Sequence, residues 1–168
     1  MGKTINISEV AYEFTRPADT TAYSAGDVVS NSTSSTTIIT FTGNILKEAF
    51  TTGKSLQVKN AQLTKSTTTT SNAAFRLYLY SSGVTVAADN AAMNLQYADK
   101  HVRVGYIDFT CTTGGAGTSD CAESIVTDVN LNIKLLQDNL YGVLVAQLGY
   151  SPGNAEKFYV KLNLLNLD

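Results

Sequence analysis

The chain has 168 residues, 43% hydrophobic and only 15% charged, with a formal net charge of −2. That length suits one domain with a sizeable core, and the hydrophobic share excludes disorder of the whole chain. Twelve Lys and Arg against fourteen Asp and Glu, with no basic cluster, exclude an electrostatic nucleic-acid binder.

Residues 1–8 read as an N-terminal arm, and residues 9–168 as a single domain. The opening MGKTINISEV lacks the apolar core of a secretory signal, and Asn6 breaks the myristoylation pattern after Gly2. No apolar run approaches the length of a membrane span. Val10, Tyr12 and Phe14 alternate with Ala11, Glu13 and Thr15, the period of a strand with one buried face. Pro17 closes that strand, because it removes a backbone donor and restricts Arg16. A loop with a turn at Gly26-Asp27 leads to a short strand at Val28-Val29. Ser30–Thr37 is nearly all Ser and Thr and reads as a solvated loop before a strand at Ile38–Thr42. Gly43-Asn44 is a turn signal, while Ile45–Phe50 fits either a short strand or one helical turn.

Leu56 and Val58 share one phase, Ala61 and Leu63 the other, so a strand there needs a bulge near Asn60. After a Ser/Thr loop at Ser66–Ser71, Phe75, Leu77 and Leu79 point one way and Arg76, Tyr78 and Tyr80 the other. Ala92, Met93, Gln96 and Tyr97 have helical spacing, which allows at most a short helix near 90–98. Val102, Val104, Tyr106 and Ile107 around Gly105 form another strand-like run. Val129, Leu131, Ile133 and Leu135 alternate with polar residues, and Asp138-Asn139 is a turn. Leu140–Leu148 is apolar in both phases, as in a strand covered on both sides. Ser151-Pro152-Gly153-Asn154 is a turn signal, and Phe158, Val160, Leu162 and Leu164 mark the last strand. About eight strands without βαβ alternation make the fold class all-β. An antiparallel β-sandwich, with a jelly roll foremost, is expected. The immunoglobulin-like alternative lacks its buried Trp and cross-sheet Cys pair.

Little here is catalytic, and no cofactor or metal is expected. His101 is the only histidine, and the basic neighbours Lys100 and Arg103 work against its use as a base. No nucleophile elbow, phosphate loop or HExxH occurs, and the GGAG run at Gly114–Gly117 lacks a following Lys-Ser/Thr. Asp89, Asp99 and Asp108 flank the central connection without the ordered spacing of a calcium loop. Cys111 and Cys121 bracket the segment TTGGAGTSD. A disulfide would pin that loop and two reduced thiols would leave it free; spacing leaves both readings open. Tyr78 and Tyr80, beside Arg76 on the outward face, form an expected exposed aromatic pair. With Arg16 and Tyr23 they make the candidate interface set, because Tyr and Arg are the residues that anchor protein interfaces. Ordinary cross-strand packing is the competing account of each.

Three pieces taken together carry a resemblance. FTRPADTTAYSAGDVV at Phe14–Val29 comes first, followed by FRLYLYSS, TVAADNAAMNLQYAD and VGYIDF within Phe75–Phe109. The third is LYGVLVAQLGYSPGNAEKFYVKLNLL near the C-terminus. In this order they resemble segments of virion structural proteins of tailed bacteriophages. Within that group a compact domain of this size is similar to capsid decoration (cement) proteins. The Ser/Thr tract and the cysteine loop are particular to this chain. The resemblance implies a non-enzymatic protein made in the host cytoplasm and carried on the capsid surface. Its implied partners are the major capsid protein and itself, commonly as a homotrimer. A tail-fibre adsorption or carbohydrate-binding module is the alternative, with Tyr78 and Tyr80 stacking on sugar rings.

Overall fold

The computed structural model describes residues 7–34, 36–45, 48–69, 72–113 and 120–168. The expected arm up to residue 6 and the Gly114–Gly117 run lie outside these. Twelve strands are described: β1 (Ile7–Thr15), β2 (Val28–Val29), β3 (Ile39–Phe41), β4 (Asn44–Ile45), β5 (Glu48–Ala49), β6 (Ser55–Lys65), β7 (Ala73–Tyr80), β8 (Arg103–Thr113), β9 (Ala122–Val126), β10 (Leu131–Lys134), β11 (Leu140–Ala146) and β12 (Lys157–Asn166). All their pairings are antiparallel.

In one layer β1 pairs with β12, β12 with β6, and β6 with both β9 and β10. In the other, β8 pairs with β7, β7 with β11, and β11 with both β2 and β3. The layers meet at one corner, where Thr112 and Thr113 of β8 pair with Glu123 and Ala122 of β9. Each of the pairs β2/β3 and β9/β10 is one interrupted strand, and β4–β5 is a small separate hairpin. The eight strands in chain order therefore lie 1-8-3-6 in one layer and 2-7-4-5 in the other. This is the strand order of a jelly roll.

The core forms because the inward phase of each strand is apolar. From the first layer come Val10, Phe14, Leu56, Leu63, Val160 and Leu162. From the second come Phe75, Leu77, Leu79, Phe109, Leu140 and Leu144, all buried. Phe75 sets its ring edge-on to Tyr150 at 5.2 Å and to Phe158 at 5.5 Å, an arrangement the ring quadrupoles favour. The bulge expected near Asn60 is present: Asn163 opposes Asn60 while Leu164 opposes Val58, so Lys59 is the extra residue. It keeps both halves of β6 facing inward. The gap between β9 and β10 sits opposite it. There Asp128 and Asn130 take left-handed backbone angles (φ 57° and 52°), which Asp and Asn tolerate best among side-chain-bearing residues. Val129 N–H donates to the Lys59 carbonyl at 2.9 Å and docks the gap on the bulge.

Two sequence expectations change. No helix forms at 90–98; a 3₁₀ turn occupies Ala98–Val102 instead. Met93 and Leu95 are partly buried and alternate with exposed Ala92, Asn94 and Gln96, so the segment is extended and inserts every second side chain into the sheet. The strand at Ala122–Val126 was not expected, because its five residues present an exposed Ile125 and carry only a short alternation. Ile45–Phe50, left open between strand and helix, holds the ends of the β4–β5 hairpin.

The connection from 81 to 102 decides the outward face of the second layer. Val84, Val86, Met93 and Leu95 pack over Val28, Tyr80, Val143 and Val145 and build a second, smaller core. This explains why β11 is apolar in both phases. It leaves Arg76, Tyr78, Tyr106 and Asp108 on the outward face of β7 and β8 uncovered.

Candidate functional site

That uncovered strip is built from residues directly opposite one another across β7 and β8. Arg76 faces Asp108 and Tyr78 faces Tyr106. Arg76 Nε donates to Asp108 Oδ1 at 2.6 Å and Nη2 to Oδ2 at 2.8 Å, the two-pronged geometry that matches guanidinium to carboxylate. The bond to Asp108 holds the guanidinium above its ordinary pKa, with Tyr78 adding to the shift. The same guanidinium lies 3.9 Å from the Tyr106 ring centroid and 5.8 Å from that of Tyr78. The two rings meet tilted, 6.0 Å apart.

Arg103 joins the strip through a register shift. Tyr80 opposes Arg103 while Leu79 opposes Gly105, so Val104 is the extra residue on β8. Val104 turns toward the main core, and the Arg103 guanidinium reaches to 5.5 Å from the Tyr78 ring. The result is an open groove of about 410 Å³ lined by Arg76, Tyr78, Arg103, Val104, Gly105 and Tyr106. Tyr106 is 53% exposed, a large value for an aromatic residue in a sheet. Among the described residues no carboxylate lies within ion-pair distance of Arg103.

The remaining candidate residues lie elsewhere. Tyr80, expected to be exposed beside Tyr78, is fully buried under the 81–102 connection. It does point outward as its phase requires, but burial raises its hydroxyl to about 12. Arg16 and Tyr23 are also buried and cannot anchor a partner. They meet Asp89 in a network that ties three loops together. Arg16 Nε donates to Tyr23 Oη at 2.9 Å, and Tyr23 Oη to Asp89 Oδ1 at 2.6 Å. The Ser30 N–H reaches the same oxygen at 2.8 Å, and Arg16 Nη2 lies 3.4 Å from Asp89 Oδ2. Arg16 also donates to the Asp19 carboxylate at 3.0 Å and to the Gly153 carbonyl at 3.4 Å. Burial pushes the Asp89 carboxyl up from its ordinary range, against the pull of Tyr23, Ser30 and Arg16. Burial pushes the Tyr23 hydroxyl up as well, and its bond to Asp89 adds to that.

A second buried pair lies at the base of the 150–156 turn. Lys65 Nζ donates to Glu156 Oε1 at 3.2 Å, to the Thr67 carbonyl at 2.7 Å and to the Thr69 carbonyl at 2.6 Å. Its ammonium also lies 5.5 Å from the Tyr150 ring.

Cys111 is buried on β8 and Cys121 is partly buried, and both carry free sulfurs in this structure. Burial raises the Cys111 thiol to about 12. Asp89 and Asp108, two of the three carboxylates considered for calcium, are taken up by Arg16 and Arg76. Among the described residues, no group of three or more His, Cys, Asp or Glu is placed to hold a metal ion. His101 is exposed on the 3₁₀ turn, its ring edge-on to Tyr97 at 5.4 Å.

Sequence reading missed Tyr106, Arg103 and Asp108 as members of the strip. The cross-strand register unites them, and only a pairing of the Phe75 run with the Tyr106 run signals it in advance.

No protein-family model and no curated protein matches this sequence. Among solved structures the chain is similar to a chain of the cyanophage Pam1 capsid asymmetric unit. The TM-score is 0.38 at 11% identity, covering 99% of this chain and 89% of that one. It is similar also to the decameric BFDV capsid protein (0.38, 13%, covering 98% and 100%). A third is a chain of desmodium yellow mottle tymovirus (0.33, 13%, covering 99% and 89%). At these scores the likeness carries no argument, and the fold assignment rests on the strand order.

Proposed function

We propose that the protein is a non-enzymatic virion structural protein, a decoration or cement protein that binds the outside of a phage head. The observation that carries the reading is where the three resembling pieces meet. Phe14–Val29 supplies Arg16 and Tyr23, Phe75–Phe109 supplies Asp89, and the C-terminal piece supplies Gly153 and Tyr150. The first two join in one buried network that also reaches the Gly153 carbonyl. The Tyr23 and Tyr150 rings stack beside it, 5.6 Å apart. What the pieces have in common is therefore scaffolding, which suits a family defined by a shape and not by a reaction.

The mechanism is binding energy. A weakly charged surface loses little on being covered. Among the described strands β1 pairs with β12 alone, which leaves one edge of a nine-residue strand for a backbone partner. Attachment as a homotrimer, bridging neighbouring subunits of the major capsid protein, would add several weak contacts into a firm one. It would favour whichever lattice presents those contacts. The tail-module alternative loses one of its two sugar-stacking rings, since Tyr80 is buried.

Quantitative mass spectrometry of purified particles tests the reading. A copy number on the order of hundreds per particle is expected for a shell component, whereas roughly a dozen or fewer would overturn it. Particles lacking the protein should also lose their genome at lower temperature than complete ones.

A further inference from the structure

We infer that the groove on β7 and β8 is a docking site for an acidic segment of a polypeptide partner, with Arg103 receiving the carboxylate. The inference deepens the reading above by naming the docking face, and it rests on that reading only for the partner being a capsid subunit.

The chain as a whole is weakly acidic, yet this groove presents two guanidinium groups and a single carboxylate. Asp108 is engaged at both oxygens by Arg76, so the local surplus of one positive charge belongs to Arg103. Arg103 is exposed and held beside Tyr78 by a bulge, a device that re-aims a side chain at the cost of regular pairing. An exposed guanidinium held beside an aromatic ring is preorganised for a carboxylate and loses less side-chain freedom on binding than a free arginine. Tyr78 and Tyr106, which line the same groove, bring phenol hydroxyls with further hydrogen-bonding capacity.

The same geometry argues against a sugar. Stacking on a sugar ring needs an uncovered aromatic face. Here the Arg76 guanidinium lies 3.9 Å from the Tyr106 centroid, and two guanidiniums lie within 5.8 Å of that of Tyr78. The rings are platforms for cations already.

The test is an NMR titration of the full chain with acetyl-Gly-Glu-Leu-Glu-Gly-amide. Its Gln-for-Glu counterpart and methyl glycosides serve as comparisons. Saturable shifts at Arg103, Tyr106 and Tyr78 with the Glu peptide are expected, weakening as salt is raised. Arg103→Gln should reduce affinity about tenfold. Arg103→Lys, which keeps the charge but not the fork, should fall between the two. Equal shifts with the Gln peptide, saturation by a glycoside at the same residues, or no saturation with the Glu peptide would each overturn the inference. So would undiminished binding by folded Arg103→Gln protein. Copy number per particle is read on the unaltered protein, so failure of the peptide titration and failure of the virion reading are separate results.

Discussion

The buried pair Lys65–Glu156 offers the most quantitative test of how the fold is held. Both side chains are fully buried, but they are not equally satisfied. The Lys65 ammonium uses its three protons on Glu156 and on the carbonyls of Thr67 and Thr69. Glu156 Oε1 accepts from Lys65 and from the Thr67 hydroxyl, while Oε2 has no hydrogen-bond partner among the described residues. Replacing Lys65 with Met therefore leaves a buried carboxylate with one hydroxyl donor. That should cost about 3–5 kcal/mol, the usual result of stranding a buried charge. Glu156→Gln leaves the ammonium with two carbonyls and an amide oxygen, and should cost only about 1–3 kcal/mol. In the Lys65→Met/Glu156→Gln double variant no charge is stranded, and Thr67 and Thr69 lie near enough to solvent for water to take up their carbonyls. Its cost should fall short of the summed single costs by about 2–3 kcal/mol. Urea denaturation followed by circular dichroism, compared at constant m-value, measures all three. Additive single costs, or Glu156→Gln costing more than Lys65→Met, would refute the reasoning.

Four further outcomes are expected. Tyr80→Phe removes a buried hydroxyl that has no hydrogen-bond partner among the described residues, so thermal stability should hold or rise by about 1 kcal/mol; a loss of that size would show the hydroxyl to be satisfied. Asp89→Ala strips the Tyr23 hydroxyl and the Ser30 N–H of their shared acceptor, while Arg16 keeps Asp19, and should cost about 2–4 kcal/mol. Amide exchange should quicken in the 84–102 connection, and unchanged exchange there would detach that connection from the network. Iodoacetamide at mildly alkaline pH should label Cys121 first and Cys111 only after unfolding, as read by peptide mass spectrometry; equal rates would contradict the burial of Cys111. The folded Cys111 thiol titrates near 12 against an ordinary 9.0. Its stability contribution is therefore complete below about pH 9 and is lost as pH rises toward 12. By pH 10 that loss is about 1.4 kcal/mol, and Cys111→Ala should abolish it.

The sequence by itself determined most of the layers. Alternation in Val10–Phe14, Phe75–Leu79 and Phe158–Leu164 requires one buried face per strand, because a one-residue slip would expose the whole apolar set. The phase change between Val58 and Ala61 even located the bulge. Tertiary structure decided what each outward face meets. Tyr78 and Tyr80 share a phase and a residue type, yet one borders the open groove and the other is sealed under Met93 and Leu95. Nothing local separates them, since the cover comes from a segment whose spacing imitates a helix. The groove itself depends on register. Arg76 finds Asp108 and Tyr78 finds Tyr106 only because β7 and β8 pair directly, and the extra residue Val104 turns Arg103 onto the same face. Arg16 and Tyr23 show the converse. Composition marked them as interface residues, but their network with Asp89 lies inside the fold, where burial makes hydrogen-bond partners obligatory.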